Sequence, residues 1–377
     1  MNKELYLIPI TSCLTTFGFC RSTICDFQQN EFSFIPNALA NLLVSNKHQK
    51  LADIFSEFGQ QNKEIIEEYL NHLQDNRFAY FGTKNEVSLF LDFNLEWDFP
   101  SKISNAVIDI RDYNKTYYMD LLAQLENLQC CHLQLRFYKE VKDINYISEV
   151  IELANNKSFR TISLYLNYAI FNDYDSCTKL IEITPKIDNI TVYKAPVNKL
   201  VQLTDLMAFI NYTNNEFNPQ NTCGYIDLKF FAISVNHFTE SQLHNTCLNR
   251  KICIDADGYI KNCPSMKHHY GHISDTTLTE AIEKPGFKDC WFIKKDDIDV
   301  CQDCEFRHIC TDCRAFIKNP NNLYSQPAKC EYNPYIAKWQ SEDGWISVEQ
   351  WRAENPGWEE QTIEIRDMNK KHLANND

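Results

Sequence analysis

Five strand-like runs limit what this chain can fold into. AVIDI starts at Ala106, LQLRF at Leu133, TISLYL at Thr161, NITVY at Asn189 and YIDLKFF at Tyr225, spaced 27, 28, 28 and 36 residues apart. Helical patterns fill the intervals: YYMDLLAQLENL, INYISEVIELANN and SCTKLIEI. Strand, helix and next strand at that repeat length make a βαβ unit, whose right-handed crossover leads to parallel pairing. Consecutive units predict a parallel sheet or partial barrel, with functional groups at the carboxyl ends of the strands.

The flanks read differently. Extended stretches near Glu4–Ile8, Arg21–Phe27 and Glu31–Phe34 precede a helix start at Pro36-Asn37, and a further helix is expected near Glu64–Leu73. That order predicts a small α+β module over residues 1–100, ahead of a (β/α) region over 101–240. From Cys247 the alternation gives way to cysteine, over 241–339, and a tail over 340–377 carries Trp345, Trp351 and Trp358. These tryptophans are expected to pack an appended helix onto the body.

Composition removes several function classes. The 377 residues carry 51 acidic against 37 basic side chains, a formal charge of −14, which disfavours nucleic acid as a partner. Nine glycines are scattered from 18 to 357 with no phosphate-cradling cluster, which excludes P-loop and Rossmann nucleotide enzymes. No apolar run approaches the twenty or so residues of a membrane span and no signal-peptide core follows Met1, so a cytoplasmic protein without membrane contact is expected.

Sixteen cysteines in a reducing compartment point to burial or metal ligation, and nine of them fall between Cys247 and Cys330. In CLNRKICIDADGYIKNCP, Asp255-Ala256-Asp257-Gly258 reads as a type I turn closed by a glycine at positive φ. Such a loop pairs residue 253 with 261 and leaves Cys253 and Cys263 diagonal neighbours on one face, about 7–8 Å apart. Cys301-x2-Cys304 and Cys310-x2-Cys313, followed by Cys330, are pairs that deliver two thiolates to one centre from a tight turn. Together with Cys247 they make eight, the number two four-cysteine sites require.

The succession Cys247, ten residues, Gly258, four residues, Cys263, then Cys301, Cys304, Cys310, Cys313 and Cys330 resembles the SPASM domain, the carboxyl-terminal extension of radical S-adenosylmethionine peptide-modifying enzymes. The resemblance implies two auxiliary [4Fe–4S] clusters. Cys247, Cys253, Cys263 and Cys313 would hold the first; Cys301, Cys304, Cys310 and Cys330 would hold the second. One departure is visible, since two residues instead of the family's usual three separate Cys310 from Cys313. The alternative is zinc, with Cys301, Cys304, Cys310 and Cys313 closing one site and Cys247, Cys253, Cys263 and Cys330 another. Cys13, Cys20, Cys25, Cys130, Cys131, Cys177, Cys223 and Cys290 are expected to be ordinary buried residues. His268, His269, His272 and His308 are expected not to ligate, and Asp296, Asp297 and Asp299 to form an exposed acidic linker.

The Cys-x3-Cys-x2-Cys motif of radical enzymes is missing after Ile110, where the chain reads RDYNKTYYMDLL, and LQLRFYKEVK lacks the family's glycine-rich segment. S-adenosylmethionine is therefore not expected. The combination resembles the SPASM-domain peptide maturases of grasp-with-spasm gene clusters, and RSTICDFQQNEFSFIPNALANLL resembles that family's opening. The implied fold is α/β: a partial, radical-SAM-like (β/α) barrel between a leader-recognition-like amino-terminal module and a Cys-rich SPASM domain. The implied function is maturation of a ribosomally synthesised peptide, with a precursor peptide and an ATP-grasp ligase as partners. The precursor would add as a strand to an edge near Arg21–Phe27 or Glu31–Phe34. The alternatives are a non-catalytic protein that presents the precursor to the ligase, and a zinc-stapled scaffold; no catalytic residue is assigned.

Overall fold

The computed structural model describes residues 1–112, 114–218, 222–363 and 366–367. The chain divides into two compact units. One gathers Met1–Trp97, Tyr225–Thr246 and the chain from Ile293 on; the other holds Asp98–Gly224 and Cys247–Phe292.

The first unit begins with β1 (Tyr6–Pro9), β2 (Cys13–Phe17), β3 (Ser22–Asp26) and β4 (Glu31–Ile35). Then come α1 (Asn37–Ser45), α2 (Leu51–Phe58), α3 (Lys63–Asp75), β5 (Ala79–Gly82) and the short α4 (Lys84–Val87). β2, β3 and β4 form an antiparallel sheet in that order, while β1 pairs with β5. Pro36 stands at the N-cap of α1, where its missing N–H costs nothing. Leu39, Leu42 and Leu43 of α1, Ile54 of α2 and Leu70 of α3 bury one apolar stripe each against Phe17 and Ile24. Each such side chain contributes roughly 1.5–3 kcal/mol of transfer free energy. Cys13 and Cys25 serve here as small buried apolar residues.

The second unit contains β6 (Asn105–Ile110), α5 (Lys115–Asn127), β7 (His132–Phe137), α6 (Ile144–Asn155), β8 (Thr161–Asn167), α7 (Tyr174–Ile183) and β9 (Ile187–Tyr193). A hairpin of β10 (Lys199–Leu203) and β11 (Ala208–Tyr212) follows. Asn114, Asp143 and Asp173 cap the three helices by accepting backbone N–H bonds. The run expected as a strand from Tyr225 is instead irregular chain with a 3-10 turn at Leu228–Phe230. Asp227 accepts the backbone N–H of Lys229 there and diverts the segment from ladder pairing. After α8 (Val235–Leu243) of the first unit, the second resumes with β12 (Lys251–Ile254), β13 (Ile260–Lys261) and α9 (Leu278–Glu283).

The eight strands lie in the order β10-β11-β9-β8-β7-β6-β12-β13. The inner six are parallel, and an antiparallel strand closes each edge. Period-two alternation divides the two faces. Ile108, Leu135, Leu164, Ile190 and Ile252 join the apolar core with Leu121 of α5, Val150 of α6 and Ile181 of α7. The opposite face is polar, with Asp109, Arg136, Ser163, Tyr165, Thr191, Lys251 and Cys253. Asp109 and Arg136, opposite one another on β6 and β7, form a buried two-pronged ion pair at 2.6 and 2.8 Å, with Phe217 over the guanidinium.

The first unit ends with β14 (Tyr332–Asn333), β15 (Lys338–Trp339) and α10 (Val348–Glu354). Trp351 of α10 is buried and stacks on Tyr335 with ring centres 4.3 Å apart, as an appended helix would require. Residues 368–377 of the tail lie outside the described residues. The expected acidic linker is not a solvated run. Asp296 accepts from Arg307 at 2.9 Å and Asp299 pairs with Arg352 at 2.7 Å, because the cations that follow in sequence fold back onto them.

Removing the cation from the polar face leaves an uncompensated buried carboxylate. Arg136→Met is expected to cost about 3–5 kcal/mol in urea unfolding, and pairing it with Asp109→Asn to recover much of that loss.

Candidate functional site

The first unit brings two thiols against one ammonium. Lys295, 5% exposed, places its Nζ 3.5 Å from Cys310 Sγ, 3.9 Å from Cys301 Sγ and 3.4 Å from Asp312 Oδ1. Burial would by itself lower the Lys295 pKa, but the fields of Cys301, Cys310, Asp312 and Cys330 outweigh it and hold it well above its usual value. Cys304 also lies within electrostatic range of Cys301 and Cys310. Burial pushes the Cys301 thiol up to about 12 and Cys310 up to about 11, and the Lys295 charge works against both shifts. Cys301, Cys304, Cys310 and Cys330, joined in the sequence only by spacing, thus share one buried electrostatic environment.

That environment is built on the amino-terminal sheet. Arg21, just before β3, donates to Glu305 at 2.9 Å, Thr23 donates to the Glu305 carbonyl at 2.8 Å, and Phe19 N–H donates to the Asp303 carbonyl at 2.8 Å. Gly18 makes the approach feasible, since a Cβ there would lie 2.6 Å from the Arg21 oxygen and 2.7 Å from Glu305. Cys25 of β3 and Cys310 belong to one apolar cluster with Phe306 and Tyr332. His308 is enclosed, sharing a hydrogen bond with Ser241 at 3.0 Å.

The second unit assembles the other thiols on the polar face of its sheet. Cys253 pairs with Lys261 and Ile254 with Ile260, Gly258 sits at φ +83°, and the hairpin has the register its turn predicts. The ladder ends at Lys261, and Cys263 follows in a bend two residues on. β12 also pairs in parallel with β6, which makes the cysteine hairpin the continuation of the main sheet. The partly buried Lys251 approaches Cys247 Sγ to 4.0 Å. The fields of Cys247, Cys263, Cys223 and Cys253 raise its pKa, the Cys247 contribution being the largest.

Cys223 is the residue that sequence reasoning missed. Its thiol hydrogen-bonds with Cys263 and lies 3.4 Å from Ser265 Oγ, which is not the ordinary burial expected of it. The Cys263 hydrogen bond lowers the Cys223 pKa, and the same bond raises that of Cys263. No sequence pairing marks Cys223, because 23 residues, 224–246, separate it from the next cysteine, Cys247. Cys313 is buried in the first unit, whereas Cys247, Cys253 and Cys263 belong to the second. His268, His269 and His272 form an aromatic run with Tyr259 and Tyr270, and His272 bonds to Ser274 and the Asp257 carbonyl.

Both thiol sets have the donors a thiophilic centre takes: soft sulfur, a buried setting and a cation that offsets negative charge. Among the described residues, no three His, Cys, Asp or Glu side chains converge closely enough to hold a single metal ion.

The amino-terminal module offers two strand edges, at β2 and β4, because β3 is the centre of its sheet. The expected edge near Arg21–Phe27 is therefore already paired on both sides. β4 keeps one edge outside the sheet's pairing and exposes Phe34, whose ring packs under the Arg21 guanidinium at 3.4 Å. A groove of about 350 Å³ runs beside β2, lined by Cys13, Thr15, Lys47, His48, Leu91 and Phe93. No helix among the described residues is long and apolar enough to cross a membrane.

No protein-family model matches the chain, and no curated protein matches it. Among solved structures, the crystal structure of Streptococcus suis SuiB aligns at 12% identity and a TM-score of 0.32, over 86% of this chain and 99% of its own. SuiB bound to S-adenosylmethionine gives 12%, 0.32, 86% and 100%. SuiB bound to its precursor peptide SuiA gives 11%, 0.31, 82% and 96%. Likeness at that TM-score carries no argument about this chain.

Glu305 is 1% exposed and Arg21 30%, so truncating the arginine strands a buried carboxylate while water relieves part of the loss. Arg21→Met is expected to cost about 2 kcal/mol in chemical unfolding, and Glu305→Gln in the same chain to reduce that penalty.

Proposed function

We propose that this chain acts in the maturation of a ribosomally synthesised peptide: it captures the precursor at its amino-terminal module and carries two inorganic thiolate-bound centres, without a radical S-adenosylmethionine centre of its own. Cys301, Cys304, Cys310 and Cys330 hold one centre. Cys247, Cys253 and Cys263 hold the other, with Cys313 as the fourth thiol implied by the resemblance to SPASM domains. The centres are read as [4Fe–4S] clusters, and zinc is the alternative. The observation that carries the reading is the approach of Lys295 to Cys301 and Cys310, with Cys304, Cys310 and Cys330 packed in one apolar cluster with Cys25 of β3. Peptide capture and the thiol site therefore lean on one another through Arg21, Thr23 and Glu305.

A bound cluster supplies electron transfer or a covalent staple for a region with little regular structure. The chain's own residues do the rest. Lys295 and Lys251 offset thiolate charge, and Glu305, held by Arg21 and Tyr332, fixes the loop between Cys304 and Cys310. The exposed edge of β4 offers main-chain hydrogen bonds to an extended peptide, with Phe34 as an apolar contact.

A second reading, a non-catalytic protein that presents the precursor to an ATP-grasp ligase, is favoured by the Asp109–Arg136 pair. Those side chains, with Tyr138 donating to Asp109 at 3.4 Å, occupy the carboxyl ends of the first strands. There the two side chains hold one another's charge.

Anaerobic purification should yield protein with two metal centres per chain, shown by iron, sulfide and zinc analysis with a visible spectrum. Chelator stripping is expected to lower the thermal midpoint. Cys304→Ala should lose one of the two centres, while Cys20→Ala keeps both; a metal-free, equally stable wild type defeats the reading. For the peptide, Phe34→Asp is expected to weaken binding of a short peptide encoded beside this gene at least about tenfold by fluorescence anisotropy, with unchanged circular dichroism.

A further inference from the structure

The second unit places a fourth thiol beside the three already described. We infer that Cys223 is the fourth ligand of the centre held by Cys247, Cys253 and Cys263, in place of Cys313. The inference rests on the reading of those three residues as ligands and changes the fourth.

The segment after β11 begins over the polar face of the sheet. Its Phe217 packs on Tyr193 of β9 at 5.3 Å, Tyr165 of β8 at 5.7 Å and Tyr138, after β7, at 5.5 Å. Cys223 meets Cys263 and Ser265, just past the β12–β13 hairpin. Cys253 points to this same face from β12, and Lys251, two residues earlier on that strand, shares its orientation. The Lys251 ammonium lies 4.0 Å from Cys247 Sγ, which brings that thiol to the same end of the hairpin. All four donors come from one compact unit, so the site needs no strand or loop from elsewhere. The class of ligand is a thiophilic inorganic centre, an iron–sulfur cluster or zinc.

The full-length chain is reconstituted anaerobically with ferrous iron and sulfide, and in parallel with zinc, alongside Cys223→Ala, Cys253→Ala and Cys313→Ala variants. Cys223→Ala and Cys253→Ala are expected to lose one of two centres, lowering the bound metal by about half, and Cys313→Ala to keep both. Iodoacetamide labelling read by mass spectrometry needs no variant: in wild-type protein Cys223 should be protected when loaded and alkylated after chelator stripping. The arm that retains metal through gel filtration tells cluster from zinc. Retention of both centres by Cys223→Ala, or equal alkylation of Cys223 with and without metal, overturns the inference whatever Cys313→Ala does. Full metal retention by Cys253→Ala defeats the underlying ligand reading instead.

Discussion

The parallel pairing of β12 with β6 is the constraint on which the thiol chemistry of the second unit depends. In a strand, successive side chains leave on opposite faces, and one register is compatible with burying Ile252 and Ile254 against the helices. That register turns Lys251 and Cys253 toward the polar face, beside Arg136 and Asp109. A slip of one residue would bury a lysine in the apolar core and expose two isoleucines, so the core itself holds the thiol in place.

Charge explains why each thiol set includes a lysine. Buried thiols resist ionisation, as the raised Cys301 and Cys310 values show, yet a metal centre binds thiolates. An ammonium close by narrows that gap without bringing in water. Lys295 is itself held by Asp312, which also accepts from Arg314 and Asn245, so the cation lies in a network of fixed partners. A separate pair in the first unit, Glu305 with Arg21, ties the position of β3 to the loop bearing Cys304 and Cys310.

Much of the scaffold was legible in the sequence because its elements are locally determined. The runs from Ala106, Leu133, Thr161 and Asn189 are the strands β6 to β9, and the three intervening periodic segments are helices with Asn or Asp caps. The Asp-x-Asp-Gly turn set the hairpin register through loop length alone. The run from Tyr225 misled because its apolar residues serve the first unit's aromatic cluster, through Phe231, and not a ladder. α2, only 8 residues long, leaves little periodicity in the sequence, and the acidic stretch from Asp296 to Asp299 reads as solvated until Arg307 and Arg352 return to it from 11 and 53 residues away.

The sequence by itself determined the βαβ order and the register of the β12–β13 hairpin, since both follow from periodicity and loop length over short spans. Only the tertiary structure decided that Lys251 and Lys295 stand among the sulfurs, that β3 is an inner strand, and that Cys223 meets Cys263. The Cys223–Cys263 and Lys295–Cys310 contacts join segments separated in the chain through packing and charge, which leave no local pattern in the order of residues.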